Sequence, residues 1–342
     1  MNNDPRSILI LRFSSIGDIV QTTSVIGTLK SYFPKTTIDF MTLSKFAPLL
    51  SGHNRINKIH EIDINAGYFS LREIGLSMEK KSYDLVIDLH NTTRSRIIRK
   101  AMSNTKSLFL PKPRWKRFNL FMFHQNYFSP EFSVRSWLHE PLNDLLPRRY
   151  KMGETKLFVS DLEKEDGINI LQSYGLKGDY FVLTPGAAWA QKRWPAHYYS
   201  IIIDKVKEKF GLNAVLIGGV NDINCELITS NATNSAIDVH GKTNLRESLA
   251  IVSQAKFILG NDTGFLHAGE SLGISAITIL GPTSRETGAG VFLDRSYVIE
   301  NKNLWCRPCS QNGSLPCYRK EQYCMTQIHP EHIMNQISKV FA

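Results

Sequence analysis

What this sequence lacks narrows its class before any motif is read. No apolar run approaches the ~18 residues that a spanning helix needs, and the "ILIL" near the start is too short for the core of a signal peptide. Cysteine is scarce: there are five in 342 residues, and four crowd between Cys306 and Cys324, which excludes a secreted disulfide scaffold and agrees with a reducing compartment. The first glycine-containing loop, "RFSSIGDIVQT", is not G-x-G-x-x-G, which disfavours a dinucleotide oxidoreductase. Acidic residues are outnumbered, 31 against 41 Lys and Arg. The resulting charge of +10 points to an anionic partner: nucleic acid, a phosphorylated ligand or a membrane surface. With 42% hydrophobic and 21% charged residues, the expectation is a soluble globular protein of the cytosol.

What is present has the rhythm of strand, loop, helix. "SILILRFSSIGDIVQTTSVIGTLKSYFP" predicts a strand over Ile8 to Leu11, a Ser/Gly loop, and a helix carrying Ile19, Val20, Val25 and Leu29 that stops before Pro34. "TTIDFMTL" and "YDLVIDLH" are further strands, the second ending in Asp and His. The pattern restarts at "YFVLTPGAAWAQKRWPAHYYSIIIDKVKEKFG", where Pro195 suits a helix start and Gly211 a C-cap. "NAVLIGG", "AKFILGNDTG" and "SAITILGPT" supply later strands. Alternation of this kind predicts two doubly wound parallel sheets, divided in the polar stretch Asp161 to Asp179. The expected domains are residues 1–165 and 166–330, followed by a C-terminal helix, 331–342, whose Ile333, Met334, Ile337, Val340 and Phe341 need a packing partner.

Ligands of open parallel sheets collect at the carboxyl ends of strands, where helix N-termini favour phosphate. Three strand-end loops carry suitable residues. In "GNDTGFLHAGESLG", Thr263 and Gly264 let hydroxyl and backbone approach a diphosphate. Asp262, which repels phosphate, is suited to sugar hydroxyls, and His267 follows in the first turn. Taken alone, Asp262 reads sooner as a cap and His267 as a core histidine. In the first loop, Asp18 after Gly17 is either a general base or a complement to the helix dipole. In "TPGAAWAQKRWP", Thr184, Gly186 and Lys192 follow a strand, and Lys192 is either a phosphate ligand or a surface lysine.

Together these three blocks and the C-terminal "CRPCS…CYRKEQYCM…IHPEHI" resemble glycosyltransferase family 9, the lipopolysaccharide heptosyltransferases. The resemblance spans the chain and weakens between Asn65 and Lys156. It implies a GT-B architecture: two Rossmann-like domains facing across a cleft, acceptor mainly on the first and nucleotide sugar on the second. It further implies inverting, metal-independent transfer without a cofactor, with ADP-heptose as donor and a lipid-linked inner-core glycan as acceptor. On that resemblance Asp18 is the catalytic base, and Thr184, Lys192, Asp262, Thr263, Gly264 and His267 bind the donor. Ser15, Gly17, Arg114 and Arg117 are the acceptor candidates. The absence of an Asp-x-Asp motif agrees with catalysis without a metal. Ala187 and Ala188 depart from relatives that place hydroxyl residues there, which puts identical donor contacts in doubt.

Two segments stay open. The cysteines, C-x2-C-x7-C-x6-C, suit either structural zinc or reduced structural thiols. "PKPRWKRFNLFMFHQNYF", residues 111–128, sets Lys112, Arg114, Lys116 and Arg117 among Trp115, Phe118, Phe121 and Phe123. It reads as a ligand or headgroup surface at the inner membrane, or as a solvated basic loop leading to a core helix. The alternative function is a non-catalytic protein of the same fold that binds anionic glycan or nucleic acid; the enzyme reading expects no nucleic acid.

Overall fold

The computed structural model describes residues 4–222 and 224–341. Contacts group the chain into two compact units, Met1–Pro113 with Val134–Phe158, and Arg114–Ser133 with Val159–Ala342.

The first unit is built on five parallel strands: β1 (Ser7–Leu11), β2 (Thr37–Leu43), β3 (Lys58–Ile62), β4 (Leu85–Asp88) and β5 (Lys106–Phe109). Their order is β3-β2-β1-β4-β5, with Ile8 beside Ile38 on one side and Leu85 on the other. Central β1 is apolar at consecutive positions because both faces are covered: Ile8, Leu9, Ile10 and Leu11 are all buried.

The helix Ile16–Tyr32 departs from the amphipathic expectation, since its buried residues run through Gln21, Thr22, Thr23, Ser24 and Thr28 as well as the predicted apolar ones. Its hydroxyls are satisfied within the helix: Thr22 donates to the Asp18 carbonyl at 2.8 Å, and Thr23 to that of Val20 at 2.6 Å. The second cover is the segment returning after Val134. There the Gly153 amide donates to Thr28 Oγ1 at 2.7 Å and the Lys156 amide to Thr23 Oγ1 at 2.9 Å. A Cβ on Gly153 would lie 2.7 Å from the Ser24 carbonyl, so only glycine lets the strap approach this closely.

The second unit has six parallel strands: β6 (Tyr180–Thr184), β7 (Asn213–Leu216), β8 (Ile237–Asp238), β9 (Phe257–Asn261), β10 (Ser275–Leu280) and β11 (Tyr297–Glu300). They are ordered β11-β10-β9-β6-β7-β8, the arrangement of a doubly wound dinucleotide-type fold. The polar stretch from Asp161 opens this unit as a helix, Asp161–Ser173. It starts at a capping box in which Ser160 Oγ accepts from the Glu163 amide and Glu163 Oε2 accepts from the Ser160 amide.

One face of the sheet is sealed by Trp194, Tyr199, Phe257, Ile333 and Ile337, the other by Leu171, Val182, Ile251, Ile258 and Leu266. The expected C-terminal helix, Pro330–Val340, therefore finds its partner in the first of these clusters, and Phe341 stacks on Phe210 at 4.7 Å. Gly211 ends the helix Ala196–Phe210 in the left-handed region, φ 70°.

Each sheet reverses its strand order once, between β1 and β4 in the first and between β6 and β9 in the second. Ligands of such sheets gather beyond the carboxyl ends of those strand pairs.

Candidate active site

In the first unit, the loop after β1 and the loop after β4 meet through Arg12. This buried guanidinium donates to the Leu89 carbonyl at 2.6 Å and to the Ser14 carbonyl at 2.8 Å, and its Nη2 lies 2.6 Å from Asp18 Oδ2. Ser15 is the N-cap of the helix, and both its amide (3.2 Å) and its hydroxyl (3.0 Å) donate to that same Oδ2. Gly17 is buried in the first turn. The Arg12 and Ser15 contacts thus converge on one carboxylate oxygen, Oδ2. Burial opposes the charge, but Arg12 and Ser15 outweigh it and hold the Asp18 carboxyl below the ordinary aspartate range.

Next to this pair is His90, at the end of the β4 loop with its ring 5.2 Å from that of Phe13. Its Nδ1 is buried without a hydrogen-bond partner among the described residues. Burial, helped by Arg12 and Lys112 and opposed by Asp18, pushes its pKa down to about 4, so the ring is neutral at pH 7.

In the second unit the reversal point is organised by Asn261, the last residue of β9. It is fully buried, accepts from the Trp194 amide at 2.9 Å and the Tyr199 hydroxyl at 3.1 Å, and donates to the Pro185 carbonyl at 2.6 Å. It thereby ties the loop after β6 to the loop after β9. Gly260 permits the approach, because a Cβ there would meet Thr184 Oγ1 at 2.0 Å.

Thr263, rather than Asp262, is the N-cap of the helix Gly264–Ser271, and its side chain makes no capping bond. Its hydroxyl and that of Thr184 are buried and have no partner among the described residues. Lys192 Nζ lies 2.5 Å from Asp262 Oδ2, Thr283 Oγ1 donates to that oxygen at 3.4 Å, and His267 Nε2 stands 3.9 Å from Oδ1. Burial raises the cost of the Asp262 charge, yet Lys192, His267 and Thr283 together hold its carboxyl below the usual range.

The predicted residues thus separate into two clusters. Asp18, Ser15 and Gly17 share the first. Thr184, Lys192, Asp262, Thr263, Gly264 and His267 share the second. Arg114 and Arg117 lie on another element, the helix Arg114–Phe123, which groups with the second unit. Ala187 is buried and Ala188 exposed. Arg12, His90, Asn261 and Thr283 were not legible as site residues. The available signals were faint: a charged residue directly after a buried strand, and an asparagine ending one.

The five cysteines are free, with Cys306 and Cys324 buried, Cys309 half-buried and Cys317 exposed. Burial pushes the Cys324 thiol up to about 11. Among the described residues, Cys225, Asp238 and His240 each place a ligand-type atom within 4.8 Å of the others, whereas no three of the C-terminal cysteines do. In that trio the Asp238 carboxylate is held by His240 Nδ1 at 2.6 Å.

Residues 71–318 match the family model of glycosyltransferase family 9 (heptosyltransferase). Lipooligosaccharide heptosyltransferase 2 of Haemophilus ducreyi is 27% identical over 300 residues, covering 81% of this chain and 84% of the relative. Among solved structures, the family 9 glycosyl transferase from Veillonella parvula superposes with a TM-score of 0.79 at 18% identity, covering 99% of this chain and 98% of that one. The Escherichia coli ADP-heptose lipopolysaccharide heptosyltransferase II superposes with a TM-score of 0.75 at 20% identity, covering 98% of each chain. The fold is GT-B, with two Rossmann-like domains.

Proposed function

Because this chain belongs to glycosyltransferase family 9, the heptosyltransferase family, we propose that it transfers heptose from ADP-heptose to the inner core of lipopolysaccharide or a related lipid-linked glycan, with inversion and without a metal. The reading gives the base to the first unit and donor holding to the second.

The observation that carries it is the asymmetry of the Asp18 carboxylate. Arg12 and Ser15 both bond Oδ2 and fix the plane of the group, so that Oδ1 is the oxygen we assign to the acceptor. A carboxylate held in this way accepts the proton of an acceptor hydroxyl as the oxygen attacks the anomeric carbon. Its depressed pKa keeps it ionised throughout the neutral range, and its fixed negative charge also favours the cationic sugar of the transition state.

The bond that breaks leaves a nucleoside diphosphate whose terminal oxygen gains charge. Two buried hydroxyls without partners among the described residues, Thr184 and Thr263, supply donors for it. The N-terminus of the helix Gly264–Ser271, bare of a Cβ at Gly264, adds backbone amides. Lys192 supplies the cation. Its ammonium is held by Asp262 Oδ2, which leaves the carboxylate Oδ1 side, beside His267, for sugar hydroxyls. Such preorganised donors and a lysine replace the divalent ion that other transferases use for the same charge.

No helix among the described residues is long and apolar enough to cross a membrane. In this reading the enzyme meets its acceptor at the cytoplasmic face of the inner membrane.

The test is direct. Purified protein, ADP-heptose and a deacylated inner-core acceptor should yield ADP and a product heavier by one heptose. A melting screen against nucleoside diphosphates should single out ADP, since a ligand at ~100 times its Kd stabilises by about 2.7 kcal/mol. No ADP release with any nucleotide sugar would sink the reading, and UDP outranking ADP would move it to another donor.

A further inference from the structure

The basic, aromatic helix that begins at Arg114 belongs to neither cluster described above, and its exposure is unusual. The helix Arg114–Phe123 buries only Asn119 and Leu120. Trp115 is 71% exposed, Phe118 48%, Met122 63% and Phe123 59%. Trp115, Phe118 and Met122 recur at helical spacing, so they form one stripe along the helix. Their rings lean on one another: Trp115 stacks on Phe118 at 5.8 Å and Phe118 meets Phe123 edge-on at 5.8 Å. Tyr127 continues the exposed apolar surface just beyond. Contiguous exposed aromatics on a soluble protein mark a surface that something covers.

The charges around the stripe select the cover. Lys112, Arg114, Lys116 and Arg117 flank it, and residues 111–130 contain no Asp or Glu. Arg114 and Lys116 are themselves exposed. A duplex or a soluble glycan satisfies the cations but offers nothing to Met122 and Phe123. An apolar protein groove takes the stripe and strands the cations. An anionic bilayer surface meets both, with phosphate headgroups for the basic side chains and the acyl boundary for the aromatic and Met side chains. Trp in particular settles at that boundary.

We infer that the helix Arg114–Phe123 is an in-plane membrane anchor that inserts Trp115, Phe118, Met122 and Phe123 into a bilayer rich in anionic phospholipid. This deepens the proposed function, from which it takes the lipid-linked acceptor as its purpose, but the binding itself is measured without donor or acceptor.

The full-length protein is floated with vesicles of phosphatidylethanolamine and phosphatidylglycerol, and in parallel with vesicles of phosphatidylcholine alone. It should float with the first, not the second, and detach as salt is raised. Trp115→Ser/Phe118→Ser/Met122→Ser should bind the anionic vesicles at least about tenfold more weakly while its melting temperature stays that of the parent. Its rate on a water-soluble, deacylated acceptor should also stay unchanged.

A second variant guards against misfolding: Trp115→Phe keeps an aromatic anchor, so it should still float, yet it should lose the blue shift of tryptophan emission that vesicles induce in the parent. A parent that stays in the pellet fraction overturns the inference, as does a triple variant that floats equally well or flotation indifferent to phosphatidylglycerol. So does a triple variant whose only change is a smaller oligomer, which would assign the stripe to a second copy. Flotation as expected with no transferase activity would overturn the proposed function and leave the anchor standing.

Discussion

Removing the Lys192 ammonium should strand the Asp262 carboxylate. The two side chains are 14% and 12% exposed and their charged atoms lie 2.5 Å apart. At an effective dielectric constant of about 20 that separation corresponds to roughly 6 to 7 kcal/mol of attraction, most of which offsets the desolvation of the two groups. The net worth of the pair is therefore modest, whereas breaking a buried pair from one side typically costs about 3 to 5 kcal/mol. His267 and Thr283 remain beside the carboxylate and the site is not fully dry, so Lys192→Ala should lose about 2 to 3 kcal/mol near pH 7. For a body of about 150 to 250 residues this lowers Tm by roughly 5 to 10 °C.

The pH dependence of that loss has a definite sign. In the variant, burial without the lysine raises the Asp262 pKa above its unfolded value, so the deficit is largest at high pH and shrinks as pH falls and the carboxyl takes up a proton. Lys192→Ala/Asp262→Asn, which removes both charges, should recover most of the stability, giving a coupling of at least about 1 kcal/mol with the two single variants. Calorimetric melting of the parent, both singles and the double, at about pH 5 and about pH 8, measures all of this. ADP should also raise the Tm of Lys192→Ala less than that of the parent. Singles within about 0.5 kcal/mol of the parent at both pH values, or strictly additive effects, would refute the buried-pair reasoning.

Asp18→Asn keeps the size of the side chain and part of its bonding to Arg12 and Ser15 but cannot accept a proton, so turnover at saturating substrates should fall by about 10² to 10⁴ with ADP affinity nearly unchanged. A folded variant retaining more than about a tenth of the parent rate would remove Asp18 from the mechanism. Acid stability turns on buried histidines. Burial depresses His53 and His139 to about 4, and His90, partly exposed, likewise. All three titrate at about 6.5 when unfolded. Their neutral forms belong to the fold, so the contribution is intact above about pH 6.5 and is lost as pH falls toward 4, each fully buried histidine adding a slope of about 1.4 kcal/mol per pH unit. Tm should decline steeply between about pH 6.5 and about pH 4.5, and His139→Gln should flatten the decline; a flat profile in the parent would contradict the burial of these rings.

The sequence by itself determined the two sheets. "SILIL" and "YFVLT" are apolar at consecutive positions because they end up covered on both faces, and the loops that follow them carry Ser, Gly and Thr because helix starts and close backbone approaches demand them. The strand-end positions of Asp18, Thr184, Asp262 and Thr263 followed from the same local logic. Partnership was decided only by the tertiary structure. Lys192 and Asp262 stand 70 positions apart, as residue numbers show, and so does little in the local pattern of either announce the other. Arg12 reaches Leu89 across β1 and β4, Asn261 gathers two loops and the Tyr199 hydroxyl, and the strap at Gly153 covers a helix face whose Thr and Ser residues would otherwise read as solvent-facing. Local periodicity records which face of an element is buried; which distant polar group meets it depends on the strand order and register, and these arise from the packing of the whole sheet.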